Sequence, residues 1–524
     1  MSTATSQIPM QIQDLQAGMN AISRLPLGNP QDAYAYLKSF LDSLLKAPPR
    51  VDDYLILLEH LSHILCFVTE ELARCFINKP LPLVDLEEDR FRQVIIIWIK
   101  MARSYACCAK LVALAPEPAQ PSRIALILHR CIFYTGMALF EHHRSCRELP
   151  RELWHDLHGY YASAEKRGVE TLAIRDVLDH EASITCQSTY LRLLLSELAS
   201  PYSLSVRDQN LVRRWANIWS PLVSLHSVLP GEAVPKYAVD LTHNVGLRST
   251  TGTAQIKHLR RLESSGLSQH LKHLRQQLRQ KISPAELGLG DGFSPQQCKR
   301  LLQKLSHPWS QAETPRKYIR RTTSGEVKLG IGLEAAYHYL SGKPFPQVEK
   351  NRSAPGKKTA RQAPRHEESP ALPDFVPDQW TVLNQSASGF RLRRGIDGEK
   401  IAHGQLLALC PLDGKQVFLG QTTWLMQERK GALVTGVAVL PGIPQAIAAR
   451  LLTNEIGPKE ANRPAFILSA VPSINQAPTL VIPQGWYSAN RLIEIHTDSV
   501  QRVKLKQLIN EGLDFEQVSF VVET

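Results

Sequence analysis

The sequence lacks the patterns that mark most enzymes and metal-binding proteins. Its nine cysteines include no Cys-x-x-Cys pair. Because their number is odd and most of them lie in apolar helical segments, we expect free thiols in a reducing compartment. We find no nucleophile–base pair, no quartet of metal ligands and no phosphate-binding loop. The sequence therefore predicts no catalytic residue, no metal site, no cofactor and no enzyme activity.

Long hydrophobic runs are also absent. The most apolar stretch, Val94–Ile99, is far too short to cross a bilayer, and the first residues resemble no secretory signal. With 43% hydrophobic and 21% charged residues, the 524-residue chain has the composition of a soluble globular protein of two to four domains. Its net charge of +12 favours anionic partners: nucleotides, nucleic acid or acidic protein surfaces. We expect a cytoplasmic protein without a membrane span.

The first 300 residues have the hydrophobic periodicity of helices. After Asn29-Pro30, one apolar face is formed by Leu37, Phe40, Leu41, Leu44 and Leu45. Similar amphipathic segments follow, and no fixed repeat period connects them. We therefore predict a non-repeating all-α domain over residues 1–300.

Two features of this half suggest chemistry without requiring it. His155 and His158 are spaced like metal ligands on one helix turn, but their aromatic neighbours favour packing. Between Lys257 and Lys281 there are seven basic residues against one acid, Glu263, around a leucine stripe. This segment is either a solvated helix face or a docking surface for an acidic protein or nucleic acid.

Beyond residue 300 the pattern changes to short strands. Gly325–Gly332 alternates like a strand and precedes a short helix; a Gly-Ile-Gly there resembles a dinucleotide fingerprint, but no second strand with a terminal acid follows. Residues 343–375 are rich in Pro, Lys, Arg, Ser and Glu, which predicts a flexible insertion. Closely spaced strands then follow from Trp380 to Leu440, as in a small antiparallel barrel.

Two polar groups of residues lie on either side of the insertion. Arg316 and Arg320 precede the first strand. Asn384, Ser386 and Gly389 lie between Trp380–Leu383 and Phe390–Arg393, where we expect a polar turn. The combination of Arg-x-x-x-Arg with Asn-x-Ser-x-x-Gly resembles the PilZ domain over about 316–342 and 378–445. The helical half resembles the amino-terminal region that accompanies some bacterial PilZ proteins.

The PilZ resemblance implies a bacterial receptor for cyclic di-GMP, with these five residues as ligand-binding residues. Arginine pairs with phosphate, stacks on purines and donates to guanine O6 and N7. Asn384 can accept from a guanine N–H, Ser386 supplies a hydroxyl, and Gly389 admits a close approach to the backbone. Arg361 and Arg365 form a second Arg-x-x-x-Arg, 19 residues before Asn384, and remain an alternative to the first pair.

The expected fold is α+β and multidomain. We predict an all-α domain at 1–300, a PilZ-like β-barrel at 311–456 with the insertion at about 343–375, and a second small β module at 457–524. The expected function is a cyclic di-GMP receptor that relays binding to a protein partner through the helical domain. Two alternatives stay open: a degenerate PilZ scaffold, and a basic nucleic-acid-binding protein that does not bind cyclic di-GMP.

Overall fold

A computed structural model describes residues 12–116, 118–175, 183–250, 255–311, 319–345, 378–411, 416–452 and 461–523. The predicted flexible insertion lies almost wholly outside this part of the chain. The chain divides into two compact units, one running to Pro315 and the other starting at Arg316; Pro80–Pro82 group with the second.

The first unit is mainly helical, as the sequence predicts. Its helices are α1 (Leu15–Ser23), α2 (Pro30–Lys46), α3 (Val51–Ala73), α4 (Asp85–Leu114), α5 (Pro121–Arg144), α6 (Arg151–Lys166), α7 (Cys186–Leu198), α8 (Val206–Trp219), α9 (Ser265–Arg279) and α10 (Pro295–Trp309). Helix α2 illustrates how they form: the Asn29 side chain accepts the Gln31 N–H at 2.9 Å, and Pro30 occupies the first turn.

The apolar faces predicted from periodicity lie in the core of this unit. Helix α2 buries Leu37, Phe40, Leu41 and Leu44, and α9 buries its four stripe leucines, Leu267, Leu271, Leu274 and Leu278. Helix α5 contacts α4, α6 and α7. It is the one helix of the described residues that is long and apolar enough to cross a bilayer. Because 78% of its most apolar stretch is buried, we interpret α5 as the core helix of this unit.

The first 300 residues are not entirely helical. They also contain a two-stranded sheet, β1 (Ile174–Arg175) with β2 (Ser183–Ile184). A four-stranded sheet in the order β3-β6-β4-β5 follows, made of β3 (Ser224–Ser227), β4 (Tyr237–Asp240), β5 (Arg248–Ser249) and β6 (Leu259–Glu263). Strands of two to five residues are too short to show a period of two, so the sequence pattern did not predict them.

The second unit contains two closed six-stranded barrels. The first has the strand order β10-β11-β12-β9-β8-β7 and all its neighbours are antiparallel. Its strands are β7 (Arg321–Ile331), β8 (Asp378–Ser386), β9 (Gly389–Arg394), β10 (Leu406–Pro411), β11 (Phe418–Gln427) and β12 (Leu433–Val439), with helix α11 (Gly332–Ser341) after β7. The predicted barrel is confirmed, and β7 pairs with β8 across the insertion.

The second barrel has the strand order β13-β14-β15-β18-β17-β16. Its strands are β13 (Pro444–Leu451), β14 (Arg463–Leu468), β15 (Thr479–Pro483), β16 (Leu492–His496), β17 (Val500–Glu511) and β18 (Phe515–Val522). The predicted second β module is thus confirmed, but its boundary at residue 457 is wrong because β13 already belongs to it. Gly442, with φ of +108°, turns the chain from one barrel into the next.

The two barrels of this unit share buried residues and hydrogen bonds. Ala336 of α11, Leu406 and Leu419 of the first barrel pack with Phe466 and Phe515 of the second. The Leu406 N–H donates to Asp514 Oδ1 at 2.9 Å, and the Leu513 N–H donates to the Gly404 carbonyl at 2.8 Å. These contacts join the two barrels along β10 and β11 of the first barrel.

Candidate functional site

A cavity of about 180 Å³ opens on the first barrel where β8, β9 and β12 lie side by side. Four of the five predicted ligand-binding residues contribute to its wall: Arg320, Asn384, Ser386 and Gly389. The fifth, Arg316, lies outside the described residues, as do Arg361 and Arg365. The other lining residues are Ser388, Phe390, Arg391, Thr423, Trp424, Gly436, Val437 and Ala438.

The β8–β9 hairpin brings these residues together. Ser386 pairs with Gly389, so only Ala387 and Ser388 form the turn, and Asn384 and Ser386 lie on β8 itself. The expected location of Asn384 in a turn is therefore wrong. The β8 strand is long because its pairing with β7 continues to Gln385, opposite Arg321.

A β-bulge changes the direction of the strand just before Asn384. The β8–β9 register shifts between Val382 and Asn384, and the β7–β8 register shifts between Thr322 and Gly325. Bulges rotate the residues that follow them and are frequent at binding sites. Asn384 consequently pairs with Thr322 on one side and with Arg391, another cavity residue, on the other.

Gly389 is required by strand packing as well as by the cavity. A Cβ atom at position 389 would overlap the Val437 carbonyl oxygen of β12. The absence of a side chain therefore lets β9 and β12 approach closely at the edge of the cavity. Gly436 on β12 has a similar function, since a Cβ there would overlap the indole of Trp424.

Arg391 and Trp424 are cavity residues that the motif did not identify. The Arg391 guanidinium lies 5.7 Å from the centre of the Trp424 ring, at cation–π distance. Arg391 is exposed and forms no ion pair with the described residues, whereas Arg393, two positions along β9, pairs with Glu428 at 2.9 Å. The signal in the sequence was the alternation Phe390-Arg-Leu-Arg-Arg394, which places Arg391 on the face opposite buried Leu392.

A buried polar cluster anchors the hairpin at its other end. Asp378 at the start of β8 forms an ion pair with Arg394 at the end of β9. The Trp380 indole N–H donates to the same carboxylate at 3.0 Å, and the Arg394 guanidinium lies 4.9 Å from the Trp380 ring. Burial lowers the pKa of Arg394 to about 10, although the carboxylates of Glu399 and Asp397 oppose that shift. These contacts fix the register of β8 against β9.

The two histidines of the first unit differ: His155 is exposed, whereas hydrogen bonds hold His158. His158 is buried; its Nε2–H donates to the Val245 carbonyl at 2.9 Å, and its Nδ1 accepts from the Tyr190 hydroxyl at 2.6 Å. Burial lowers the pKa of His158 to about 4, so the ring is neutral at pH 7. In the described part of the chain, no group of three or more His, Cys, Asp or Glu residues is arranged to hold a metal ion.

Three family models match the chain in order. Residues 16–231 match the N-terminal domain of the cyclic-di-GMP receptor FimW, residues 244–375 its middle PilZ domain, and residues 447–522 its C-terminal β-barrel domain. Arg316 and Arg320 lie within the middle match. Asn384, Ser386 and Gly389 lie between the second and third matches. Their place in the wall of the cavity is therefore the observation that connects them with Arg320.

One relative is similar to the chain over most of its length. The chain is 24% identical to the cyclic-di-GMP receptor FimW of Pseudomonas aeruginosa, over 92% of this chain and 86% of the relative. The similarity thus extends through the helical unit and both barrels. Together with the closed barrel formed by β7–β12, these matches show a chain similar to FimW, with a helical N-terminal half, a middle PilZ domain and a C-terminal barrel.

Proposed function

We propose that this protein is a receptor for cyclic di-GMP and that the cavity on the first barrel holds a guanine of the ligand. One observation carries the proposal: Arg320, Asn384 and Ser386, which are separated by up to 66 positions in sequence, line the same cavity. The similarity to FimW, a cyclic-di-GMP receptor, supports this choice of ligand.

The chemistry of the cavity suits a guanine base. The Asn384 amide oxygen can accept from guanine N1–H or N2–H, and the Ser386 hydroxyl can donate or accept. Arg320 can donate to a phosphate, or to guanine O6 and N7. Arg391 and Trp424 provide a guanidinium plane and an indole on which a purine can stack.

The size of the cavity limits how much of the ligand it encloses. At about 180 Å³ it is smaller than the roughly 300–1,000 Å³ that is typical of small-molecule sites. We therefore expect one guanine to enter, with the phosphates closer to the segment of Arg316 and Arg320. Asn384 is uncharged, so it offers weaker hydrogen bonds to guanine than a carboxylate would.

The receptor would act as a cytoplasmic signalling protein rather than as an enzyme. We infer that ligand binding is relayed to a protein partner through the helical unit. The basic segment Lys257–Lys281 is our candidate for the surface that contacts this partner, because α9 buries its leucines and leaves Lys272 and Arg279 exposed.

Titration calorimetry of the purified full chain tests the ligand. We expect saturable binding of cyclic di-GMP and much weaker binding of GMP. Arg320→Ala should weaken ligand binding by about 2–4 kcal/mol, because charged hydrogen bonds in the complex are lost. Arg393→Ala is the matched control, since Arg393 is exposed, pairs with Glu428 and does not line the cavity.

The same titration distinguishes the two arginine pairs. If Arg316 and Arg320 hold the ligand, changing Arg361 and Arg365 together to Ala should alter the affinity little. A larger loss in that double variant than in Arg320→Ala would move the site to the second pair.

Nucleic-acid binding is the second candidate function, and the net charge of +12 favours it. The two functions differ in their response to salt. Affinity for nucleic acid should fall by orders of magnitude between about 50 mM and 200 mM salt. Strong, salt-sensitive binding of DNA or RNA without binding of cyclic di-GMP would favour this alternative.

A further inference from the structure

A larger cavity lies in the helical unit, which the proposed cyclic di-GMP site does not use. It has a volume of about 640 Å³ and is lined by residues of α3, α5, α7 and α8. This volume is within the range of roughly 300–1,000 Å³ found for small-molecule sites. All the residues that line it belong to the first compact unit.

One side of this cavity is apolar. Phe133, Met137 and Phe140 of α5 contribute to its wall together with Leu193 of α7. A thioether and two aromatic rings form a surface that adapts to flexible apolar chains. Filling the cavity with an apolar group would therefore remove hydrocarbon surface from water, which favours binding.

The other side of the cavity is basic and contains no carboxylate. Arg192 of α7 and Arg213 and Arg214 of α8 line it, and none of the lining residues is Asp or Glu. The Arg213 guanidinium donates to the Met137 sulfur at 3.2 Å and lies 4.4 Å from the centre of the Phe140 ring. Arg213 and Arg214 form no ion pair with any residue that the structure describes.

Other arginines of the same unit are paired with carboxylates. Arg130 pairs with Glu59 at 2.8 Å, and Arg144, on the same helix as the apolar wall, pairs with Glu141 at 2.6 Å. A thioether is a weak acceptor in comparison with a carboxylate. Arg213 and Arg214 are exposed and differ from these arginines in forming no ion pair with the described residues. The carboxylates of Glu141 and Glu70 attract Arg213, but both of them pair with Arg144.

We propose that this cavity binds a single-chain amphiphile with an anionic head group. Arg213, together with Arg214, would bind the head group, and the tail would lie against Phe133, Met137, Phe140 and Leu193. Charge complementarity selects an anion, and the apolar wall selects an aliphatic tail over a small ion such as phosphate. A peptide is a poorer candidate because its backbone amides would lack partners against that wall.

Octanoate is a suitable probe for this proposal, with octanol and acetate as controls for the head group and the tail. We expect calorimetry of the full chain to show octanoate binding at least tenfold more tightly than either control. Equal binding of octanoate and octanol would show that the arginines do not select an anion, and would overturn the proposal.

Variants locate the binding in this cavity. Arg213→Ala should weaken octanoate binding at least tenfold, while Arg207→Ala, on the outer face of the same helix, should leave it unchanged. Ser196→Phe should fill part of the cavity and abolish binding, whereas Ser196→Ala should not. Unchanged octanoate affinity in Ser196→Phe would place the ligand elsewhere and contradict the proposal.

A chemical readout does not depend on variants that fold. Cys66 lines the cavity, whereas Cys75, after the same helix, is exposed and outside it. Octanoate should slow alkylation of Cys66 and leave the rate at Cys75 unchanged; equal rates with and without octanoate at Cys66 would contradict the proposal. Cyclic di-GMP affinity should be the same in Arg213→Ala, so failure of this proposal is distinct from failure of the proposed receptor function.

Discussion

The two barrels of the second unit have the same architecture and different walls. Each closes six antiparallel strands, and in each barrel the strands read in spatial order alternate in direction. The fully buried residues of the second barrel's own core cluster are aliphatic, for example Ile447, Leu480, Ile493 and Val503. The first barrel has glycine at three strand positions, Gly389, Gly420 and Gly436, where a Cβ atom would overlap neighbouring atoms.

The closed topology alone therefore does not account for the cavity, which lies next to irregularities in the wall of the first barrel. In the first barrel, register shifts lie in β7–β8 and β8–β9, next to the cavity. In the second barrel, the shifts lie between β17 and β18, where Asn510 of β17 donates to Gln421 of the first barrel. Register shifts therefore lie next to a cavity in the first barrel and next to a contact between the barrels in the second.

The largest difference in stability should come from the buried charges. Asp378→Ala removes the partner of Arg394 and the acceptor of Trp380, so it should destabilise the first barrel by about 3–5 kcal/mol. Glu494→Ala in the second barrel should cost less than half of that, because its partner Arg450 retains 20% side-chain exposure and can be solvated.

Hydrogen exchange measured by mass spectrometry is suited to this comparison because it reports each barrel separately. Peptides covering 378–394 should lose protection in Asp378→Ala, and peptides covering 492–505 should lose less in Glu494→Ala. Equal losses in the two variants would show that burial does not distinguish the two ion pairs.

Glycine substitution should show the next largest effect. Gly389→Ala places a Cβ against the Val437 carbonyl, so it should destabilise the first barrel by about 1–3 kcal/mol and abolish cyclic di-GMP binding. In the second barrel Gly485 has open space around it, and its φ of +81° alone makes Gly485→Ala cost about 1 kcal/mol.

Thermal unfolding and calorimetry on the two glycine variants provide the measurement. The second variant should bind the ligand with unchanged affinity. If Gly389→Ala also binds normally, the close approach of β9 and β12 is not needed for the cavity.

A smaller effect is expected from the aromatic wall of the cavity. Arg391→Ala removes the cation over Trp424 and should weaken ligand binding by about 1–2 kcal/mol without changing the melting temperature. Arg393→Ala should not weaken binding, although it breaks the exposed pair with Glu428. Calorimetry with both variants decides whether the two arginines differ; the same loss in both would indicate a general charge effect.

The sequence predicted most of the fold because its signals were local. Helix caps and apolar periodicity located α2 and α9, and alternation with glycine turns located most of the barrel strands. The short strands β3–β6 and the first strand of the second barrel, β13, were missed. Their pairing partners, such as β16 for β13, are distant in sequence, and pairing rather than local pattern defines them.

The candidate site was predictable in part for the same reason. Asn384, Ser386 and Gly389 form a compact motif, and Arg320 belongs to a second one. Arg391 and Trp424 reach the cavity because β9 and β11 both pair with β12, a relation that no spacing in the sequence reveals. The bulge before Asn384 likewise follows from three-strand pairing, so its strand position could not be read from turn chemistry.

The smallest effect on ligand binding is expected from Asn384, the first residue of the Asn-x-Ser-x-x-Gly motif. Asn384→Asp would replace an amide oxygen by a carboxylate, which can accept from guanine N1–H and N2–H together. Charge-assisted hydrogen bonds are stronger than neutral ones, so we expect binding to tighten by about 1 kcal/mol. The ligand phosphates repel a carboxylate, but Arg320 and Arg391 line the same cavity and offset this repulsion. Repulsion through solvent is screened by salt, whereas hydrogen bonds within the cavity are screened much less. The gain should therefore persist in calorimetry at about 0.5 M salt.

Two variants serve as controls. Asn384→Ala should bind more weakly than the parent chain. The corresponding change in the second barrel, Asn510→Asp, should leave the affinity unaltered. Weaker binding by Asn384→Asp at both low and high salt would show that Asn384 does not face the guanine edge.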